Sequence, residues 1–394
     1  MPRPRGTCLA QVADVKSAPQ VPIAVFLTGF HPGGTERQMT ELIQRLDRSR
    51  FDVRVACFQR EGAWLPRVEA CAPVTAFPIR GLARPATLAR AAAFARWCRT
   101  YRIAIVQTGD LYANTFALPV AALAGVPVRI GSRRELNPDK TAGQIALQRQ
   151  AYRCAHAVVA NSPAAGRQLE SEGIPAHRIR VVPNGVSVER FTPRTSSDAR
   201  PVTTILTVAN LRREKAHEVL LAAAAELGPR HPHLRFLIAG DGPRAAELRV
   251  LAKTLGVDAQ VTFLGHREDV AALLATADAF VLPSRSEAFP NGAIEAMAAG
   301  VPVIATRTGG LLDLIEDGRT GLLVSPDDSR ALAAAVESLL LAPARAQALG
   351  AAARDEVTRR YSFDRMVRGF EDLYLSQLQT AGIPMQPRVS SRAA

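Results

Sequence analysis

Short apolar runs alternate with amphipathic segments along most of the chain. In the first half, runs rich in Val, Ile, Phe and Ala predict strands at Val21–Leu27, Phe51–Cys57, Val74–Phe77, Ile103–Val106, Val126–Ile130, Ala157–Ala160 and Ile179–Val182. Helical patterns lie between them, near Glu36–Leu46, Thr87–Arg99, Tyr112–Leu123, Ala142–Tyr152 and Ala164–Glu172. This alternation with short connections is typical of a parallel sheet covered by helices on both faces.

The alternation starts again after residue 202. Strands are predicted at Thr204–Val208, Arg235–Ala239, Val261–Leu264, Ala279–Leu282, Val301–Ala305 and Gly321–Val324. Helices are predicted near Ala216–Leu227, Ala245–Leu255, Val270–Thr276, Ala293–Ala299 and Arg330–Leu341, and residues 344–378 read as helical with a break near Tyr361. We therefore predict an α/β protein with two Rossmann-like, doubly wound domains that face each other across a cleft.

Local composition sets the predicted domain bounds. Residues 191–202 (FTPRTSSDARPV) contain two prolines, two serines and several charges, and they form the best candidate for an interdomain linker. We assign residues 21–190 to a first domain and residues 200–361 to a second. Residues 1–20, which have no long apolar stretch, and residues 380–394, whose last residues are rich in Pro, Ser and Arg, are expected to be disordered tails.

The charge is unevenly distributed, although 47% apolar and 22% charged residues are ordinary for a soluble globular protein. Residues 1–190 contain 26 Lys and Arg against 13 Asp and Glu, whereas residues 191–394 contain 23 of each. The basic half either meets an anionic partner, such as a membrane surface or an anionic substrate, or is merely well solvated. No nucleic-acid-binding motif is present, so nucleic acid is not predicted as a partner.

The five cysteines are scattered and include no C-x-x-C pair, which favours a reducing cytoplasm over a disulfide framework. The N-terminal residues lack the apolar stretch of a signal peptide, and the uncharged stretch at residues 115–128 is short for a membrane span. We expect a cytoplasmic protein, with peripheral association at the inner membrane face as an open alternative.

The strongest candidate site lies within Leu282–Thr306, a strand–loop–helix–strand unit. Its loop, Phe289, Pro290, Asn291 and Gly292, can present bare amide N–H groups, and the following helix start is a ready anion site. Glu295, one turn into the helix, suits a pair of ribose hydroxyls, and Glu287 suits a sugar. The alternative is an exposed loop glutamate plus a helix-capping one.

Two further segments contain candidate phosphate ligands. Arg212, Arg213 and Lys215 follow a buried strand and can face a diphosphate, unless they form only a solvated charge cluster. A glycine-rich turn with Gly33 and Gly34 opens a helix, but its spacing is not G-x-G-x-x-G, which disfavours a nicotinamide enzyme. No P-loop or acidic metal cluster is present. We therefore predict no metal and no cofactor.

These motifs resemble the retaining glycosyltransferases of family 4, which have the two-domain GT-B fold. The E-x7-E spacing from Glu287 to Glu295, followed by E-A-M-A-x-G-x-P-V, is highly specific. Weaker matches occur in the family's order at residues 33–37 (GGTER), 182–186 (VPNGV), 240–243 (GDGP), 263–265 (FLG), 309–310 (GG) and 320–324 (TGLLV).

The resemblance implies a hexosyltransferase that moves a sugar, most simply from a UDP-sugar, to a glycan or lipid-linked acceptor in polysaccharide or glycolipid synthesis. The first domain would bind the acceptor, and a last helix at about residues 362–379 would pack back onto it. The implied catalytic residues are Lys215, Arg212 and Glu287. The implied donor ligands are Gly33, Gly34, Asn210, Gly265, His266, Arg267, Phe289, Pro290, Asn291, Gly292 and Glu295. The implied acceptor-side residues are Asp110, Arg133 and Arg134.

Three positions depart from the family pattern. Ala209-Asn210 stands where Gly-Arg is usual, so Arg212 is the candidate replacement for the missing cation. Asp313 replaces a glutamate, and the acceptor-side histidine is absent around Arg133 and Arg134. Two alternatives therefore stay open: a nucleotide-sugar epimerase of the same fold, and a sugar-nucleotide binding protein with impaired catalysis.

Overall fold

The computed structural model describes residues 20–81, 84–136, 140–192 and 202–383. Residues 1–19 and 384–394 of the predicted tails, and residues 193–201 of the predicted linker, lie outside these ranges. The predicted disorder and linker role of those residues are therefore untested.

The first domain is built on a parallel sheet, whose seven described strands are β1 (Val21–Leu27), β2 (Phe51–Cys57), β3 (Val74–Ala76), β4 (Ile105–Thr108), β5 (Val128–Arg133), β6 (Ala157–Ala160) and β7 (Ile179–Val181). Its helices are α1 (Gly34–Arg45), α2 (Leu65–Glu69), α3 (Pro85–Thr100), α4 (Leu111–Leu123), α5 (Ala142–Arg153) and α6 (Pro163–Ser171).

The second domain is built on a parallel sheet, whose six described strands are β8 (Thr204–Val208), β9 (Arg235–Ala239), β10 (Val261–Gly265), β11 (Ala279–Leu282), β12 (Val303–Thr306) and β13 (Leu322–Val324). The remaining helices are α7 (His217–Leu227), α8 (Ala245–Thr254), α9 (Val270–Thr276), α10 (Asn291–Ala298), α11 (Leu311–Leu314), α12 (Ser329–Leu340), α13 (Pro343–Arg360) and α14 (Phe363–Thr380).

Both sheets are doubly wound, as predicted. The strand order is β3-β2-β1-β4-β5-β6-β7 in the first and β10-β9-β8-β11-β12-β13 in the second. The order reverses between β1 and β4 in one sheet and between β8 and β11 in the other. Ligands of such sheets bind outside the carboxyl ends of the strands at this reversal. In the second sheet, a ligand site is therefore expected at the residues that follow β8 and β11.

The last helix, α14, returns to the first domain. Its apolar side chains join the core beneath β1 and β2, and the ring of Tyr374 lies 6.0 Å from that of Phe51. The crossing point is tight, because a Cβ added to Gly185 would lie 2.6 Å from the Cα of Phe363. The apolar face of α14 is therefore packed against the first two strands of the first domain.

The main differences from the predicted elements are local. β12 begins at Val303 instead of Val301, since Pro302 has no N–H to donate to a neighbouring strand. α7 begins at His217, because Ala216 adopts a left-handed conformation with φ 48°. The short helices α2 and α11 were not predicted, because segments of five and four residues are too short for a periodic pattern.

Within the described ranges, no single helix is long and apolar enough to cross a membrane. The pair α12 and α13, bent by 102°, passes that test by length and composition alone.

Candidate functional site

A cleft of about 550 Å³ lies between the two domains. The second domain supplies the residues that follow β8 and β11, together with the start of α10. The first domain supplies the turn before α1 and the residues that follow β5, β6 and β7. The cleft therefore lies at the carboxyl ends of the strands of both sheets, where ligands of doubly wound domains bind.

Lys215 and Glu287 form an ion pair on the second-domain side of the cleft. The Nζ of Lys215 lies 2.6 Å from Oε1 of Glu287, and the Oγ of Ser284 donates to the same oxygen at 2.7 Å. The two residues meet because they follow β8 and β11, the adjacent strands at the reversal. Glu287 is buried, whereas the Lys215 side chain is 21% exposed. The amine is thus the more accessible partner for an incoming anion.

The start of α10 faces the same cleft. Pro290 is its N-cap and provides no side-chain hydrogen bond, so the first amides of the helix are not capped by that residue. The helix docks tightly, because a Cβ on Gly292 would lie 2.7 Å from the carbonyl oxygen of Val208. A glycine at this position therefore allows a helix start to lie directly against the end of β8. An uncapped helix start is an anion-binding feature.

Glu295 is bound from across the cleft. The Arg37 guanidinium on α1 donates to Oε1 of Glu295, and both side chains are largely buried. Asn291 makes a second bridge, because its Oδ1 accepts from Asn184 at 2.9 Å and from Gln38 at 3.3 Å. Sequence analysis assigned no role to Arg37, Gln38 or Asn184. The signal that could have found them was position: Arg37 and Asn184 lie inside the motifs at residues 33–37 and 182–186, and Gln38 directly follows the first motif.

Two predicted acceptor-side residues are not at the cleft. Arg133 is fully buried, where it pairs with Glu172 and donates to Gln148. Successive residues of a strand point to opposite faces, so Arg133 at the end of β5 points into the core. Asp110 caps α4 through the amide of Ala113 and also accepts from Thr28. Neither residue lines the cleft, and their assignment to the acceptor side stays a prediction.

Arg134 does line the cleft, and it is the third predicted acceptor-side residue. Its guanidinium donates to Oδ1 of Asn184, and Met39 Sδ lies 4.0 Å from Nη1. Burial is the main cause that lowers the pKa of Arg134 to about 10. The Glu36 carboxylate acts to raise the pKa of Arg134, and burial raises the pKa of Glu36 itself.

The remaining predicted donor residues, with one exception, also lie at the cleft. The lining includes Gly33, Gly34, Asn210, Arg212, His266, Arg267 and Phe289. Gly265 does not line it and instead makes a turn with φ 67° just before His266. Arg212 is exposed, and its side chain has no hydrogen-bond partner among the described residues. Whether these residues bind a donor stays a prediction.

No group of three or more His, Cys, Asp and Glu side chains within the described ranges is arranged to hold a metal ion. The charged groups that line the cleft are instead six cations and four carboxylates: Arg37, Arg134, Lys140, Arg212, Lys215 and Arg267, with Glu135, Glu214, Glu287 and Glu295. This arrangement can bind an anion and a polyol together, since cations and helix amides bind phosphate and carboxylates accept from hydroxyls.

Two family models match the chain. The model described as Glycosyltransferase Family 4 matches residues 32–190, and the model described as Glycosyl transferases group 1 matches residues 194–356. The two matches together include both domains, and only residues 191–193 lie between them.

Curated relatives are similar over part of the chain. The D-inositol 3-phosphate glycosyltransferase of Corynebacterium kroppenstedtii is 37% identical over 220 residues, which is 51% of this chain and 48% of the relative. The glycogen synthase of Mycobacterium tuberculosis is 34% identical over 213 residues, which is 54% of this chain and 51% of the relative. The chain thus matches about half the length of these relatives.

Solved structures are similar over nearly the whole chain. Anabaena Alr3699/HepE, in complex with UDP and glucose, aligns with a TM-score of 0.79 at 22% identity and covers 90% of this chain and 99% of its own. The sucrose-phosphate synthase of Thermosynechococcus elongatus aligns with a TM-score of 0.78 at 22% identity, covering 92% of this chain and 100% of its own. At this level of identity the likeness establishes a shared two-domain fold.

Proposed function

The chain belongs to the GT-B glycosyltransferases, and we propose that it transfers a sugar from a nucleoside diphosphate sugar, specifically a UDP-sugar, to an acceptor hydroxyl. The observation that carries the proposal is the meeting of Lys215 with the uncapped start of α10 at the reversal of the second sheet. A diphosphate fits such a place, because it can accept from both an ammonium and helix amides. The UDP and glucose complex of Anabaena Alr3699/HepE, a protein of the same fold, supports a UDP-sugar donor.

The donor is proposed to lie along the second-domain wall. Lys215, Arg212 and the first amides of α10 contact the diphosphate, while Glu295 accepts hydrogen bonds from the ribose hydroxyls. Arg37 occupies one oxygen of Glu295 and leaves Oε2 for a hydroxyl. Glu287 and the backbone of residues 289–292 contact the transferred sugar, and His266 and Arg267 border the base.

Transfer is proposed to retain the anomeric configuration without a protein nucleophile. The bond between the anomeric carbon and the β-phosphate oxygen breaks, and the acceptor oxygen bonds to that carbon on the same face. The acceptor proton passes to the leaving phosphate oxygen. Glu287 is an unsuitable nucleophile because its carboxylate is already bound by Lys215 and Ser284. Catalysis then rests on stabilising the departing diphosphate and on orientation.

The first experiment is a screen of nucleotide sugars for thermal stabilisation, followed by transfer assays with glycan and lipid-linked acceptors. Lys215→Ala is expected to lower kcat/KM by about 100-fold or more, because the ammonium is expected to stabilise the leaving group mainly as charge develops on it. Lys253→Ala, which removes an exposed lysine from α8 of the same domain, is the matched control and is expected to have no effect.

Removing Lys215 leaves the buried Glu287 without its cation, so the double variant Lys215→Ala/Glu287→Gln tests whether a loss reflects unfolding. Unchanged transfer by a folded Lys215→Ala protein would contradict the proposal. Epimerised donor formed without any acceptor would instead support an epimerase. Donor binding without turnover across the acceptor set would support a binding protein impaired at Ala209 and Asn210.

A further inference from the structure

Three polar side chains follow the last three strands of the first sheet and line its side of the cleft. Arg134 follows β5, Asn161 follows β6 and Asn184 follows β7. The donor interactions proposed above use none of them. They form a separate polar wall opposite Lys215 and the start of α10.

Arg134 differs from the neighbouring cleft cations in its partners. Arg37 and Lys215 each pair with a carboxylate, whereas the described partners of Arg134 are the neutral Asn184 amide and the thioether of Met39. Its Nε is buried without a partner among the described residues. Burial lowers the pKa of this guanidinium by more than the nearby Glu36 carboxylate raises it. Arg134 is therefore a half-buried cation that no described carboxylate contacts directly.

Such a cation is well suited to bind an oxyanion. Burying a guanidinium without a carboxylate costs free energy, and a phosphate or carboxylate that reaches it restores the lost interaction. The guanidinium also offers a fork of donors that matches both groups. A neutral ligand gains less from this position than an anionic one does.

The position of Arg134 favours the acceptor as the source of that anion. Arg134 donates to Asn184, and Asn184 donates to Asn291, the first residue of α10. Arg134 thus lies two hydrogen bonds from the loop proposed to hold the transferred sugar, but on the opposite wall. The diphosphate already has Lys215, Arg212 and the α10 amides on its own wall.

We propose that Arg134, held in place by Asn184, binds an oxyanion carried by the acceptor, a phosphate or carboxylate close to the hydroxyl that receives the sugar. This assignment rests on the proposed sugar-transfer function, since it names the class of acceptor. The location of the net charge of +13, all of it within residues 1–190, agrees with an anionic substrate on this domain.

The test compares charged and neutral probes on the UDP-saturated protein. Dissociation constants are measured by calorimetry for glucose 6-phosphate and glucuronate against glucose, and for inositol phosphates against inositol. In the wild type, the anionic member of at least one pair is expected to bind about 10- to 100-fold more tightly, as hydrogen bonds to a charged group would produce. Arg134→Gln is expected to abolish this preference, and Arg134→Lys to retain part of it.

Lys140→Gln is the matched control. Lys140 lines the same wall and carries the same charge, but Glu135 lies 3.7 Å away as its partner, so the preference for anions is expected to survive. Affinity for UDP is expected to stay within about twofold in all variants, because no donor contact is removed. Thermal denaturation checks the fold, and replacing a half-buried cation that has no carboxylate partner by a neutral amide is not expected to lower stability.

Three outcomes would overturn the inference. One is equal binding of anionic and neutral probes by the wild type, and another is an anion preference that survives Arg134→Gln. The third is a large loss of UDP affinity in Arg134→Gln, which would assign the residue to the donor diphosphate. Failure of the wild type to bind UDP or to turn over a UDP-sugar would instead contradict the proposed function itself.

Discussion

His217 is a fully buried histidine two residues after Lys215, and neither ring nitrogen has a hydrogen-bond partner among the described residues. Burial lowers its pKa to about 4. A neutral imidazole is therefore part of the folded state near the cleft. Its protonation requires either unfolding or exposure of the start of α7.

This burial predicts a pH dependence of stability. Between about pH 6.5 and pH 4 the unfolded chain binds a proton at His217 that the folded chain does not, so lowering the pH favours unfolding. The contribution lost by pH 4.5 is roughly 2 to 3 kcal/mol of unfolding free energy. Denaturant titrations at pH 7 and pH 4.5 should show a smaller loss for His217→Leu, while exposed His233→Leu should behave as the wild type. An equal loss in His217→Leu would contradict this origin.

At the scale of elements, the turn between β8 and α7 decides where Lys215 lies. Arg213–Lys215 form one turn of 3-10 helix, and Ala216 follows in a left-handed conformation with φ 48° and ψ 42°. This conformation is strained for a residue with a Cβ. Because left-handed Ala216 interrupts the helical backbone, α7 begins at His217 and Lys215 lies at the cleft outside that helix.

Replacing Ala216 tests this strain. Ala216 and Ala223 are both fully buried in the same core, so each loses a similar contact when changed to glycine. Only Ala216→Gly also relieves left-handed strain, whereas Ala223→Gly places glycine inside a helix. Ala223→Gly is therefore expected to lower the unfolding free energy by about 1 to 2 kcal/mol more than Ala216→Gly does. Equal losses in denaturant titrations would show that Ala216 is not strained.

At the scale of the whole molecule, several polar contacts hold the two domains together. Arg37 binds Glu295, and Asn184 binds Asn291. Asp313 on α11 accepts from the amide of Ala164 at 2.8 Å and pairs with Arg167, so it also caps the start of α6 in the other domain. Asp313 stands where the family that the sequence resembles usually has a glutamate, and its interdomain contacts were not predicted.

Weakening these contacts is expected to open the cleft. The double variant Arg37→Gln/Asp313→Asn removes two charged interdomain contacts, so the radius of gyration from X-ray scattering should rise and the Ala164 amide should exchange faster with deuterium. The control Arg60→Gln/Asp52→Asn breaks two ion pairs inside the first domain, Arg60 with Glu69 and Asp52 with Arg54. Unchanged scattering in the first variant would show that other contacts decide the closed arrangement.

The sequence alone determined the architecture and the identity of most cleft residues. Apolar runs of strand length, separated by helical patterns, directly indicate buried parallel strands, and the carboxyl ends of those strands must share one edge. Lys215 and Glu287 were therefore predictable as neighbours in space although they lie far apart in the chain. The E-x7-E spacing placed Glu295 in the helix that follows the loop.

Only the tertiary structure decided which side a charged residue faces and what it pairs with. Arg133 and Arg134 are adjacent and chemically identical, yet one is buried against Glu172 and the other lines the cleft. A one-residue shift along a strand reverses the face, and strand ends cannot be predicted that closely. The pairing of Arg37 with Glu295 depends on how the two domains approach each other, and no local sequence pattern determines that approach.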